Sequence, residues 1–90
     1  ELMDAAPPEE VCDNIRALAG SVEGVRGVEK IRCRKAGLHY LCDIHVEVDP
    51  NLHVEDGHAI ASSVRDKLVN EGDDVLQALV HIEPYYPDDH

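Results

Sequence analysis

Hydrophobic and polar residues alternate with period two between residues 38 and 48. Successive side chains of a strand point to opposite faces of its sheet, so this alternation predicts a strand with one buried face. The apolar face consists of Tyr40, Cys42, Ile44, Val46 and Val48. The opposite face consists of His39, Leu41, Asp43, His45 and Glu47. One side of the predicted strand therefore combines two imidazoles with two carboxylates.

Residues 28–35 and 76–83 show the same alternation and predict two more strands. In the first of these, basic residues alternate with apolar ones, and the Ala36-Gly37 pair that follows is a tight hairpin signal. In the last strand, His81 and Glu83 share one face. Two of the three predicted strands thus carry histidine and carboxylate together on one face.

Apolar residues at helical spacing predict helices over residues 8–19 and 54–70. The inward stripe of the second helix consists of Val54, Gly57, Ala61, Val64 and Leu68. The order helix, strand, strand, helix, strand predicts an α+β open sandwich, with both helices on one face of a three-stranded sheet and a right-handed crossover before the last strand. The uncovered face then carries Asp43, His45, His81 and Glu83.

The length of 90 residues and the hydrophobic content of 43% predict a single small globular domain. We expect a linker over residues 1–7, the folded domain over residues 8–84 and a flexible tail over residues 85–90. No apolar run approaches the roughly 18 residues of a membrane-spanning helix, and we expect no signal peptide at the N-terminus.

The formal net charge of −11 at pH 7 limits which partners the chain can attract. This negative charge repels nucleic acid and anionic lipid, so neither is an expected partner. It attracts cations and basic partners. The three cysteines are odd in number and form no CxxC pair, which predicts small buried thiols in a reducing compartment and argues against a soluble metallochaperone.

The uncovered face has the composition of a metal site. Asp43 and His45 are same-face neighbours about 7 Å apart at Cα, so their side chains can converge on one ion at ~2.1 Å per ligand. His81 and Glu83 repeat this pair on another strand. Such a ligand set suits Zn²⁺, with Fe²⁺, Mn²⁺, Co²⁺ or Ni²⁺ as alternatives. His58, on the polar flank of the second helix, is a separate candidate that needs ligands from the tail, the last strand or another subunit.

The remaining function classes find little support. The sequence has no Ser-His-Asp or Cys-His constellation and no glycine-rich phosphate loop, so we expect no enzyme. An RNA-binding sheet would need aromatic residues and positive charge on its bare face. His39, His53 and His90 are not paired with a carboxylate on a predicted strand and are predicted to be surface residues.

Five stretches share a family resemblance. They are Leu2-Met3-Asp4, Gly24-Val25 with Gly27-Val28, Asp43 to Pro50, Gly57-His58, and His81 to Pro84. In this order and spacing they resemble the cytoplasmic carboxy-terminal domain of the cation diffusion facilitator family, the membrane exporters of divalent metals. The resemblance implies a metallochaperone-like (ferredoxin-like) fold, a homodimer, and attachment to the protein's own transmembrane domain on the cytoplasmic side of a membrane.

The resemblance also implies roles for individual residues. His45, His58 and His81 fall where zinc-transporting members place ligand histidines, and Glu83 falls where some have aspartate. Asp43 falls where magnetosome-associated members place a central interface carboxylate. The sequence departs from the family pattern where Glu29 replaces the histidine of some zinc exporters and Leu41 replaces the tryptophan of some magnetosome members.

The implied function is regulatory. The domain would dimerise and bind Zn²⁺-like cations, and closure of the dimer would activate transport by the membrane domain. A metal-independent dimerisation module of the same transporter is the alternative. Substituting Asp43 and His81 by alanine separates the two, because only the regulatory domain loses metal-induced compaction.

Overall fold

The computed structural model describes residues 8–89. Its elements are α1 (Glu9–Gly20), β1 (Gly27–Ala36), β2 (His39–Val48), α2 (Val54–Glu71), β3 (Val75–Pro84) and a short 3₁₀ helix (Pro87–Asp89). This order confirms the predicted one. The linker expected over residues 1–7 lies outside the described residues. Among residues 8–89, no helix is long and apolar enough to cross a membrane.

The sheet has three strands with β2 in the centre. β1 pairs with β2 in antiparallel orientation, and β3 pairs with β2 in parallel orientation. A two-residue loop joins β1 to β2 and has Gly37 at its first position with φ of 64°, a conformation that favours glycine. The parallel pair requires a crossover, which α2 provides. The predicted handedness of this crossover stays a prediction.

The hydrophobic core lies on one face of the sheet. The entire apolar row of β2 is buried, as predicted, and it consists of Tyr40, Cys42, Ile44, Val46 and Val48. Ile15 of α1 and Val64 and Leu68 of α2 are completely buried and belong to the same cluster. Both helices therefore cover this face, and each fully buried aliphatic side chain contributes about 1.5–3 kcal/mol to folding.

The inward stripe predicted for α2 is wrong at its first position. Val54 is 90% exposed. Val54 is the first residue of α2, and the helix reaches the sheet only from the buried Gly57. A Cβ built onto Gly57 would lie 3.9 Å from the side chain of Ile82 in β3. The buried stripe of α2 therefore begins one turn later than the periodicity alone indicates.

Candidate metal centre

The polar row of the uncovered face is brought together by strand register. His45 lies opposite Lys30 of β1 and beside His81 of β3. Residues opposite one another in neighbouring strands share a face of the sheet. The acids and histidines of β2 and β3 therefore lie on the same, uncovered face, as the alternation predicts.

Three side chains of this face converge at one point. The ligand atoms of Glu29, His45 and Glu83 all lie within 4.8 Å of one another. His45 Nδ1 and Glu83 Oε2 lie 2.5 Å apart. Both side chains remain partly open to solvent, with 24% of His45 and 36% of Glu83 exposed. Two carboxylates and one imidazole at this spacing can share a divalent cation through bonds of about 2.0–2.2 Å.

Glu29 enters this cluster because β1 is irregular. The register of β1 against β2 shifts between Val28 and Lys30, so Glu29 has no partner on β2. Regular alternation would place it with Ile31 and Cys33 on the face that the helices cover. An extra residue in one strand bends that strand locally and re-aims its side chain. The bulge therefore turns the Glu29 carboxylate towards Glu83.

Hydrogen bonds within the cluster shift the pKa values of its two carboxyl groups in opposite directions. The pKa of Glu29 is raised by its hydrogen bond to Glu83 and by the negative charge of that group. The pKa of Glu83 is lowered, first by its hydrogen bond with His45 and then by that with Glu29. The two carboxyl groups therefore lie close enough to repel each other when both are ionised. A divalent cation placed among these groups would relieve that repulsion.

His81 packs beside the cluster, against the His45 ring. Its ring stacks on that of His45, with centroids 4.5 Å apart and planes inclined by 19°. The two residues are partners in the parallel register of β2 and β3. His81 is exposed and is not one of the three residues whose ligand atoms converge. The stack fixes the plane of the His45 imidazole and leaves His81 available to solvent or to another chain.

The other two predicted ligands lie apart from this cluster in the single chain. Asp43 is exposed on the uncovered face, where it lies opposite Arg32 of β1 and beside Leu79 of β3. His58 is exposed on α2, and α2 packs against the helix-covered face. Of the predicted ligands, the structure therefore brings together His45 and Glu83, with His81 stacked beside them. The ligand role of all five residues stays a prediction.

Glu29 is the residue that the predicted ligand set lacks. The sequence offers one signal for it, the position that it shares with a histidine of some zinc exporters. Alternation along β1 assigns it to the wrong face, because a bulge cannot be recognised from a pattern of period two.

The chain is an αββαβ open sandwich with an acid and imidazole cluster on its uncovered face, which makes it a candidate metal-binding domain. Comparison with known proteins shows its family. Residues 7–85 match the family model described as cation efflux protein, cytoplasmic domain. The chain belongs to this family. The family consists of cation efflux proteins rather than enzymes and places the domain on the cytoplasmic side, which confirms the predicted family and location.

Relatives of known name support the assignment. The chain is 35% identical over 86 residues to Metal tolerance protein C1 of Arabidopsis thaliana, covering 96% of this chain and 18% of the relative. It is 28% identical over 85 residues to the manganese efflux system protein MneP of Bacillus subtilis, covering 94% of this chain and 29% of the relative. The chain thus spans less than a third of either relative.

Solved structures share the fold. A cadmium form of a MamM CTD variant superimposes with a TM-score of 0.83 at 31% identity, covering 87% of this chain and 96% of that chain. A nickel form of another MamM CTD variant gives a TM-score of 0.83 at 29% identity, covering 87% and 99%. These matches confirm the predicted metallochaperone-like fold.

Proposed function

We propose that this chain is the regulatory cytoplasmic domain of a divalent metal exporter. It binds a Zn²⁺-like cation on the uncovered face of its sheet and forms a homodimer, and closure of the dimer activates transport by the membrane domain. The convergence of Glu29, His45 and Glu83 within 4.8 Å is the observation that carries this proposal. The domain itself catalyses no reaction.

The chemistry of the cluster favours a divalent cation over other ligands. The negative charge of Glu83 raises the pKa of Glu29, so the cluster concentrates acid charge that a cation would offset. The net charge of −11 adds a long-range attraction for cations. Mixed imidazole and carboxylate ligands suit Zn²⁺, Fe²⁺, Mn²⁺, Co²⁺ and Ni²⁺. The relatives agree with this class, since MneP is named for manganese and the MamM CTD variants are in nickel and cadmium forms.

The site requires a fourth ligand. Zn²⁺ is four-coordinate in most protein sites, and Glu29, His45 and Glu83 supply three groups. We propose that His81 completes the set by leaving its stack on His45, or that water or a second chain does so. Asp43 is exposed on the uncovered face and lies outside the cluster, so it acts with His81 as a ligand between two copies of the chain. His58 is exposed on α2 and would need ligands from another subunit.

The uncovered face also suits a second copy. Leu79 is 55% exposed there and lies beside Asp43 in the register of β2 and β3. Exposed leucine on a sheet face that no helix covers is typical of an interaction surface. Two such faces bring like charges together, and a pair of unit charges ~6 Å apart repels by roughly 3 kcal/mol at an effective dielectric constant near 20.

A bound cation reverses this repulsion. Without metal, the acids of the two copies keep the dimer open. A divalent cation shared between the copies attracts both sets of acids, so it binds the closed dimer more tightly than the open one and shifts the population towards closure. Closure is relayed to the membrane domain through the segment that precedes α1. Transport then rises with the concentration of cytosolic metal.

Calorimetric titration of the domain with ZnCl₂ tests the binding site. The His45→Ala and Glu83→Gln variants should each bind Zn²⁺ at least about tenfold more weakly, because removing a ligand weakens a metal site by more than the 10- to 100-fold typical of its outer partners. His39→Ala is the matched control, since it removes an exposed histidine of the same strand. A titration without heat or thermal shift up to millimolar Zn²⁺ rules out the proposal.

A further inference from the structure

Two cysteines face each other on the helix-covered side of the sheet, away from the metal centre. Cys33 of β1 and Cys42 of β2 are direct partners in the antiparallel register, and their sulfur atoms lie 2.8 Å apart. Both are free thiols. Opposed residues of an antiparallel pair have Cα atoms about 4.5–5.5 Å apart, which lies inside the range that disulfides span. The backbone therefore already has a geometry that a disulfide can bridge.

The two thiols differ in access and in acidity. Both cysteines line an open groove of about 920 Å³, where Cys33 is half-buried and Cys42 is only 3% exposed. The hydrogen bond between the sulfurs lowers the pKa of Cys33. The same bond, followed by burial, raises the pKa of Cys42. Cys33 is thus the thiol that a reagent in the groove meets first, and it is the better nucleophile of the pair.

Cys12 of α1 lines the same groove but is not equivalent to the pair. It is on a helix rather than in the strand register, and its pKa is raised by burial and then by Cys33. A thiol that keeps its proton attacks a disulfide slowly. Cys12 therefore serves as an internal comparison for the reactivity of Cys33.

We propose that Cys33 and Cys42 form a reversible, redox-controlled disulfide that staples β1 to β2. The oxidant is a low-molecular-weight disulfide such as oxidised glutathione. The Cys33 thiolate attacks one of its sulfurs, the S–S bond of the oxidant breaks, and one glutathione leaves as a thiolate that takes a proton from water. The mixed disulfide on Cys33 removes the hydrogen bond that raised the pKa of Cys42. The Cys42 thiol then loses its proton to solvent and attacks the Cys33 sulfur, releasing the second glutathione as a thiolate. Two protein thiols are oxidised and one disulfide is reduced to two thiols.

The disulfide would link two of the strands that carry the metal centre. Cys33 is on the same strand as Glu29, and Cys42 is on the same strand as His45. A covalent link at this point fixes the register of the β1–β2 hairpin and restricts the unfolded chain. Disulfides of this kind in reducing compartments are typically transient and redox-sensing. The inference stands without the proposed metal function, because both sulfurs lie on the opposite face of the sheet.

The test uses the whole chain in EDTA, equilibrated with glutathione at graded ratios of reduced to oxidised form. We expect peptide mapping to find Cys33 linked to Cys42 under oxidising conditions, with full reversal by dithiothreitol and a rise in Tm of at least about 5 °C. Cys12→Ala should keep the link and the rise in Tm. Cys33→Ser should lose both.

Three results would overturn the proposal. One is a link that contains Cys12, which would mean that helix motion rather than strand register brings the thiols together. Another is a lasting glutathione adduct on Cys33, which would mean that Cys42 cannot reach it. The third is the retention of all free thiols at the most oxidising ratio. Mapping the wild-type chain decides among these outcomes even if a serine variant fails to fold.

Discussion

His45 Nδ1 and Glu83 Oε2 lie 2.5 Å apart, diagonally across the parallel pair of β2 and β3. The in-register neighbour of His45 is His81, which stacks on its ring. The imidazole is therefore held by two contacts, one that fixes its plane and one that directs a ring nitrogen at a carboxylate. A metal ligand that is oriented before binding loses less conformational freedom when the ion arrives.

Glu29→Gln separates the ligand role of Glu29 from its structural role. Glutamine still donates a hydrogen bond to Glu83, but it cannot supply an anionic ligand. We expect the metal-free variant to be at least as stable as the wild type at pH 7, while its Zn²⁺ affinity falls at least about tenfold. Thermal unfolding and calorimetric titration measure the two effects. Unchanged affinity would show that Glu29 is not a ligand.

The pH dependence of the metal-free domain follows from the two carboxylates. The pKa of Glu29 is raised above its ordinary value of 4.5, so the stability that it contributes is fully present below that value and is lost as pH rises through the raised pKa. The pKa of Glu83 is lowered, so its contribution is present above 4.5 and is lost as pH falls through the lowered pKa.

Comparison of wild type with Glu29→Gln isolates the first of these effects. The variant has no titrating group at position 29, so its Tm relative to the wild type should rise as pH increases from 4.5 towards neutral. The measurement is thermal unfolding in EDTA over this pH range. A difference in Tm that does not change with pH would show that Glu29 shares no proton with Glu83.

Metal should stabilise the domain by mass action. At a free Zn²⁺ concentration one hundred times Kd, the folded state gains about 2.7 kcal/mol. For a domain of this size, that corresponds to a rise in Tm of roughly 10–20 °C. His45→Ala should remove most of the shift, and His53→Ala, at the exposed start of α2, should leave it unchanged. Equal shifts in the two variants would locate binding elsewhere.

Asp43 and His81 test the coupling between metal and closure. We expect Asp43→Ala combined with His81→Ala to abolish the metal-induced decrease in the radius of gyration of the dimer, because ligands between the copies are lost. Small-angle scattering with and without Zn²⁺ measures this decrease. A metal-independent dimerisation module would instead give the same scattering curve in wild type and variant at every metal concentration.

Most of the fold can be predicted from the sequence because its periodicities are strong. The alternation of Tyr40, Cys42, Ile44 and Val46 requires one covered face, and all four are buried. Proline and glycine positions then limit the helices and strands to within two residues of their observed ends. Val54 is the exception, since spacing identifies a helical face but not where the helix first meets the sheet.

The site can be predicted only in part. Alternation assigns His45, His81 and Glu83 to one face, but it does not provide the parallel register that stacks the two rings and places Glu83 diagonally. Glu29 depends on a bulge, which arises from the pairing of β1 with β2 rather than from any local pattern. A face can thus be predicted from one strand, whereas a cluster requires the register of all three.

A crystal of the domain soaked in Zn²⁺ and measured at the zinc absorption edge tests the central claim most directly. We expect an anomalous peak among the Glu29, His45 and Glu83 side chains, at about 2.0–2.2 Å from their ligand atoms. A structure in which zinc binds elsewhere, while these three side chains keep their hydrogen bonds to one another, would contradict it.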